Sequence, residues 1–162
     1  AIARKFLMSQ SVSPVPNGNP AVSPYLLIRG ASDAIAFYAK VFGATEHFRL
    51  TAPDGRIGHA EIEIAGSRLM IADEHPEMDF LGPQSRGGTT VTLHVYLPDV
   101  DSVFALALAS GAEELRPLCD QFYGDRSGAV TDPWGHVWSL ASRIEAITNE
   151  EIQKRFNELY AD

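Results

Sequence analysis

The chain has 162 residues, which is enough for a domain that buries its own hydrophobic core. Hydrophobic residues make up 45% of it and charged residues 21%, a composition that excludes a disordered or collagen-like chain. Its 13 basic and 21 acidic residues give a formal net charge of -8, which argues against a nucleic acid or an anionic membrane as a partner.

The amino-terminal part of the chain predicts no packed element before Tyr25. Residues 9–24 are rich in Ser, Pro, Asn and Gly, and we assign residues 1–21 to an N-terminal arm. The apolar run within residues 1–8 is too short for a signal peptide or a membrane span. Because Cys119 is the only cysteine, no intramolecular disulfide can form, and we expect a reducing, cytoplasmic location.

The first folded segment predicts a strand, a helix and three further strands. The apolar run Tyr25-Leu26-Leu27-Ile28 is typical of a buried strand. Apolar residues then recur at three- and four-residue spacing, which predicts a helix capped by Ser32 and ended by Gly43. Turn sequences separate the three strands that follow, at 45–52, 57–65 and 67–73.

The second folded segment repeats this order after a flexible stretch at 82–88. The prediction is a strand at 89–97, a helix at 99–110 ended by Gly111, and strands at 112–118, 124–131 and 136–142. A shift of 68 residues places Gly43 on Gly111, and a shift of 69 places Gly66 on Gly135. The sequence therefore predicts an α+β fold of two tandem βαβββ modules. The predicted boundaries are 22–80 for the first module, 81–88 for a linker and 89–143 for the second module.

Residues 144–162 are predicted to form a C-terminal helix. Thr148 and Glu151 have the spacing of a capping box, in which each side chain bonds to the other residue's backbone amide. Ile152, Phe156 and Leu159 form an apolar stripe along the helix. This stripe either packs on its own domain or covers a partner subunit.

The predicted repeat and several short motifs resemble one known family. The motifs are AFY at 36–38, VFG at 41–43, GHAE at 58–61, LMIADE at 69–74, YGDRSG at 123–128 and DPWGH at 132–136. Together they resemble the vicinal oxygen chelate superfamily, which includes glyoxalase I, extradiol dioxygenases and bleomycin-resistance proteins, and in particular its PhnB-like branch. The resemblance implies curled mixed sheets around a concave cavity and a homodimer.

In this family four positions converge on a divalent metal and carry His, Gln or Glu in catalytic members. The resemblance places these positions at Pro24, Met70, Thr92 and Ser139. None of these side chains is an imidazole or a carboxylate, which are the usual ligands of zinc, nickel, iron or manganese. We therefore expect no cofactor at the family's metal position, and a divalent metal only at a displaced site.

Strand alternation predicts what lines the cavity. We expect Tyr123 and Arg126 to hold a ligand carboxylate there, or Arg126 to form a surface ion pair with an aspartate. The other expected ligand-binding residues are Leu26, Ile28, Met70, Thr92, His94, Tyr96 and Ser139.

His59 and Glu61 share a strand face, and with His94 they are candidates for a displaced metal or acid–base site. The same spacing also arises on a solvated sheet face, and His94 is equally interpretable as a cavity wall. The DEHPE sequence at 73–77 has a metal-like composition but is predicted to be a connecting loop. Cys119 has no evident activating neighbour and is expected to be inert.

Three functions remain open from the sequence. In the first, the protein binds a small organic molecule in an apolar cavity without a metal, as bleomycin-resistance proteins bind their ligands. In the second, it is a metal-dependent lyase, isomerase or dioxygenase that acts on a small oxygenated metabolite through His59, Glu61 and His94. In the third, it is an interaction protein with a vestigial pocket.

Overall fold

The computed structural model describes residues 12–161, so residues 1–11 of the predicted arm and Asp162 lie outside the described residues. Residues 12–24 form no helix or strand. None of the helices described in this range is both long enough and apolar enough to cross a bilayer.

The first module has the predicted order of elements. Its elements are strand β1 (Tyr25–Ile28), helix α1 (Ala31–Phe42) and strands β2 (Thr45–Thr51), β3 (Ile57–Ile64) and β4 (Ser67–Asp73). They form a mixed sheet of order β1-β4-β3-β2, in which β1 and β4 are parallel and the other pairs antiparallel.

The second module repeats this arrangement after a connecting segment that includes one turn of 3-10 helix, Pro76–Met78, and helix α2 (Pro83–Arg86). Its elements are strand β5 (Thr92–Tyr96), helix α3 (Val100–Ala109) and strands β6 (Glu113–Asp120), β7 (Asp125–Thr131) and β8 (Val137–Arg143). The second sheet has the order β5-β8-β7-β6, with β5 and β8 parallel. The predicted α+β fold of two tandem modules is confirmed.

Three local predictions need correction. Ser32 does not cap α1, because the helix begins one residue earlier, at Ala31. The cap comes from far along the chain: Asp73 Oδ1 accepts hydrogen bonds from the amides of Gly30 and Ala31. The segment predicted to be flexible contains α2, whose proline is preorganised for a first helical turn. Strand β5 begins at Thr92, three residues later than predicted.

The C-terminal helix α4 (Asn149–Glu158) forms as predicted, but only half of the capping box is present. The Thr148 hydroxyl accepts from the Glu151 amide, whereas the Glu151 carboxylate accepts from Arg155. No residue of α4 is buried. Phe156 packs against Phe122 of its own module, so part of the apolar stripe contacts its own domain while the rest stays exposed.

Both modules share one hydrophobic core, formed by the helix-facing sides of the two sheets. Tyr38 and Phe42 of α1 pack on Trp138 of β8, with ring centroids 5.1 and 4.7 Å apart. Because the helix-facing sides of both sheets form this shared core, the opposite side of each sheet points away from it.

One buried carboxylate joins the two modules within this core. Asp132 Oδ2 accepts from the Tyr38 hydroxyl at 2.6 Å and from Trp138 Nε1 at 2.9 Å. Asp132 Oδ1 accepts from the amides of Trp134 and His136, both at 3.0 Å. Burial and the nearby Asp132 charge raise the pKa of the Tyr38 phenol, so Tyr38 remains a hydrogen-bond donor.

We predict that Asp132→Ala lowers the free energy of unfolding by about 3 kcal/mol or more, because it leaves several buried donors without an acceptor. Urea denaturation followed by circular dichroism measures this change. Asp120→Ala is the control, since Asp120 is exposed and its carboxylate forms a surface ion pair with Arg126, and it should cost less than about 1 kcal/mol. An equal effect of the two substitutions would contradict the assigned role of Asp132.

Candidate functional site

Each sheet has one side that points away from the helices, and strand register identifies its residues. We call the side of the first sheet that carries Tyr25, Leu27, His59, Glu61, Met70 and Ala72 the first face. The side of the second sheet that carries Thr92, His94, Tyr96, Ser127, Ser139 and Ala141 is the second face. Met70, Thr92, His94, Tyr96 and Ser139 therefore lie on the faces where strand alternation placed them.

The prediction that Leu26 and Ile28 line the cavity is wrong. Both side chains are buried in the core beneath α1, at 5% and 0% exposure, and Tyr25 and Leu27 lie on the first face instead. All four residues of β1 are apolar or aromatic, so alternation alone could not decide which pair faces inward. The register of β1 with β4 decides it, because Tyr25 pairs with Met70.

An apolar cavity of about 400 Å³ adjoins the first face. Its walls are Tyr25, Leu27 and Ala72 from the sheet and Met78 and Phe80 from the segment after β4, with Gly58 and His75 at the edge. A cavity of this size and composition is typical of sites for small organic molecules.

The segment that carries Met78 and Phe80 is held in place by Glu74. The Glu74 carboxylate accepts from the Gly82 amide at 2.7 Å and from Arg29 Nε at 3.2 Å. Hydrogen bonds from Ser85, Gly82 and Arg29 outweigh burial and lower the pKa of Glu74. Gly82 itself lies so close to β1 that an added Cβ would be 2.4 Å from the Leu27 carbonyl oxygen.

Two of the acidic residues at 73–77 serve the backbone. Asp73 caps α1 and also accepts from the Ile57 amide, while Glu74 anchors residue 82. Asp73 is the last residue of β4, so the predicted connecting loop begins one residue later, at Glu74.

A chain of polar contacts crosses the first face. The Tyr25 hydroxyl lies 2.8 Å from His59 Nδ1, and His59 Nε2 lies 3.5 Å from Glu61 Oε1. Arg68 donates to Glu61 Oε2 at 2.9 Å, and this hydrogen bond is the largest influence that lowers the pKa of Glu61. The Phe48 ring lies beside His59, with the ring centroids 6.3 Å apart.

The second face has its own hydrogen bonds. His94 Nδ1 bonds to Ser139 Oγ at 3.0 Å, and the Tyr96 hydroxyl donates to Asp125 at 2.9 Å. The bond to Asp125 raises the pKa of Tyr96. Tyr123 bonds to Ser127 at 3.2 Å, at the edge of this face.

Arg126 does not lie on the second face, so its predicted role in holding a ligand is wrong. Strand alternation in β7 places Ser127 on the face and Arg126 on the helix side. There the guanidinium binds Asp101 at 2.7 Å and Asp120 at 3.0 Å. The alternative prediction, a surface ion pair with an aspartate, describes Arg126 correctly.

The residues at the family's metal positions do not suit a divalent cation. Register pairs Ser139 with His94 and Met70 with Tyr25, while Pro24 lies just before β1. A thioether and hydroxyl groups are poor ligands for such an ion. Across residues 12–161 no three His, Cys, Asp or Glu side chains of one chain lie together as a metal-binding group, and His94 lies on the second face whereas His59 and Glu61 lie on the first.

Two participants were missed by the sequence reasoning. The sequence analysis assigns no role to Tyr25, although its hydroxyl is the partner of His59, and none to Phe80, which walls the cavity. The signal for Tyr25 was available, since it is the polar aromatic residue of a four-residue strand. Cys119 is exposed, and its sulfur accepts from Gln121 Nε2 at 3.1 Å.

Comparisons with known proteins agree with this architecture. Residues 25–140 match the model of the glyoxalase/bleomycin resistance protein/dioxygenase superfamily. The chain is 44% identical over 140 residues to the protein Rv0887c of Mycobacterium tuberculosis. The aligned residues cover 85% of this chain and 82% of that protein.

Solved structures have the same fold. TioX from Micromonospora sp. ML1 has a TM-score of 0.60 and 27% identity, and the match covers 80% of this chain and all of TioX. A PhnB protein from Bacillus cereus, described as a putative 3-demethylubiquinone-9 3-methyltransferase, has a TM-score of 0.61 and 21% identity. That match covers 76% of this chain and 99% of the PhnB protein.

We predict that Glu74→Gln destabilises the protein at neutral pH and that the difference from the wild type shrinks in acid. A lowered pKa in the folded state means that the ionised carboxylate stabilises the fold above the ordinary value of 4.5, and that this contribution is lost as the pH falls through the lowered pKa. Thermal melts between neutral and strongly acidic pH measure both effects. Glu114→Gln, on an exposed position of β6, is the control, and a constant difference at every pH would contradict the prediction.

Proposed function

Because the chain belongs to the glyoxalase/bleomycin resistance protein/dioxygenase superfamily, we propose that it uses this fold to bind a small organic molecule, without the divalent metal of the family's catalytic members. The observation that carries the proposal is the apolar cavity beside the first face. Aromatic and aliphatic side chains line most of this cavity, and Tyr25 and His75 are the lining residues whose side chains also carry polar atoms.

The composition of the cavity favours a flat, largely apolar ligand. Phe80 and Tyr25 offer ring surfaces, and Met78 offers a flexible thioether that adapts to the shape of a ligand. Since the metal positions carry Pro, Met, Thr and Ser, recognition rests on these contacts and on hydrogen bonds.

We further propose that the protein is a homodimer in which each face meets a second copy. Large apolar side chains are exposed on or beside both faces, with Phe48 47%, Leu50 54% and Tyr96 56% accessible. Several large apolar side chains exposed on one face favour an interaction site there. A two-fold axis that brings the first face of one copy against the second face of the other would close two equal cavities.

We predict that uncharged planar aromatic compounds, with 4-nitroanisole as the first probe, stabilise the protein in thermal-shift assays. Binding at 100 times Kd adds about 2.7 kcal/mol of stability. Phe80→Ala should reduce the shift strongly, because Phe80 walls the cavity. Phe156→Ala should not, since Phe156 is similarly exposed, at 43% against 46%, but lies on α4.

Elemental mass spectrometry on the same protein, purified without chelators, completes the test. Close to one divalent metal per chain would contradict the metal-free site. Equal shifts for the two phenylalanine variants would contradict the assigned cavity.

We predict a dimer in sedimentation velocity, and we predict that Leu50→Arg shifts it towards the monomer. The substitution places a charge on exposed apolar surface of the first sheet, where desolvation would oppose association. Leu159→Arg, at the exposed residue that follows α4, is the control. A wild-type monomer, or dissociation caused only by the α4 variant, would contradict the proposed interface.

A further inference from the structure

Binding of an apolar ligand accounts for Phe80 and Met78 in the cavity wall. It does not account for the series of polar side-chain contacts that begins at Tyr25. Tyr25 lines the cavity with its ring and contacts His59 with its hydroxyl. His59 is in turn followed by Glu61 and Arg68. An apolar ligand would use none of these three side chains.

The partners of His59 determine which ring nitrogen carries the proton. An ionised carboxylate only accepts hydrogen bonds, so the nitrogen that faces Glu61, Nε2, is the protonated one in the neutral imidazole. Nδ1 is then an acceptor, and the Tyr25 hydroxyl donates to it. The oxygen of Tyr25 keeps a free lone pair, and its hydrogen already points at a base.

We propose that Tyr25 and His59 form a proton-accepting pair that recognises a weakly acidic hydroxyl group, a phenol or an enol, on a ligand whose apolar body lies in the cavity. This inference rests on the proposed binding function and names the chemical class of its ligand. The pair acts without a metal ion.

The proton transfer balances within these groups. The ligand hydroxyl donates its proton to the Tyr25 oxygen, and the original Tyr25 proton moves to His59 Nδ1. The result is a bound ligand anion, a neutral tyrosine and an imidazolium that lies beside the Glu61 carboxylate. The step involves no oxidation or reduction, and every proton stays within the complex of protein and ligand.

The surrounding charges suit this role. Arg68 neutralises much of the charge of Glu61, while the carboxylate still faces Nε2 and stabilises the imidazolium. Glu63 pairs with His47 at 3.2 Å, and on the far side of the cavity Arg56 contacts His75, Asp54 and Glu77. Burial raises the pKa of Tyr25, so the phenol keeps a proton and passes it on rather than becoming the anion itself.

The second face supplies a contrast within the same chain. There Tyr96 donates to Asp125, a carboxylate, and His94 bonds to a serine hydroxyl. A tyrosine paired with an ionised carboxylate has no neutral imidazole to receive its proton. The tyrosine–histidine pair is therefore a feature of the first face.

The test uses 4-nitrophenol, whose anion absorbs visible light and whose neutral form does not, at a pH between about 6.5, the ordinary pKa of an imidazole, and the pKa of the free probe, so that the relay starts from a neutral imidazole. Titration with the full-length protein is expected to produce the anion's absorbance in a saturable way. Tyr25→Phe and His59→Gln should each reduce this absorbance at saturation about tenfold or more, because each removes one acceptor of the relay. Tyr160→Phe and His47→Gln are matched controls away from the cavity and should leave it unchanged.

4-Nitroanisole, which has no hydroxyl group, separates this inference from the proposed binding function. If it binds while 4-nitrophenol binds only in its neutral form, the cavity stands and the proton-accepting pair is overturned. Anion absorbance that persists in both Tyr25→Phe and His59→Gln also overturns the pair. If neither compound binds, the binding function and the pair fail together.

Discussion

The arrangement of the two modules depends on the buried Asp132 carboxylate. It lies in the turn before β8, yet two of its four donors are side chains, Tyr38 of α1 and Trp138 of β8. A carboxylate buried among aromatic rings must be hydrogen-bonded, so Asp132 favours a placement of α1 in which Tyr38 lies beside Trp138. That placement commits the helix side of both sheets to one core and leaves the two opposite faces free for a ligand or a second copy.

Short-range signals predicted most of the fold. Gly43 and Gly111 end the two module helices or follow them closely, and the sequences at 53–55 and 132–135 form turns where expected. The errors arose at positions where a residue far along the chain determines the local structure. Ser32 has the right chemistry for a cap, but Asp73 bonds to the amides of Gly30 and Ala31 at the start of the helix from the end of β4. The facing direction of β1 likewise depends on its register with β4, which no pattern within four apolar residues contains.

The same limits apply to the site. Alternation correctly grouped His59 with Glu61, because β3 is long and its other side is uniformly apolar. The expectation for Arg126 rested on its closeness in sequence to Tyr123 and not on alternation, and the register of β7 places its side chain on the helix side. The two repeats have also diverged at matching positions: Tyr25 of β1 corresponds to His94 of β5, and Met70 corresponds to Ser139. Each module connects its strands by a different hydrogen bond, from Tyr25 to His59 in the first and from His94 to Ser139 in the second.

The close approach of Gly82 to β1 also constrains how the chain length of this protein can vary in evolution. No side chain fits between residue 82 and the Leu27 carbonyl, so an inserted residue there would push the connecting segment off the sheet and open the cavity wall. Gly87 and Gly88, a few residues later, both have positive φ angles, and a Cβ added at either of them would meet open space. Insertions and deletions between the modules should therefore accumulate after residue 86, where the crossover can lengthen without disturbing the first face.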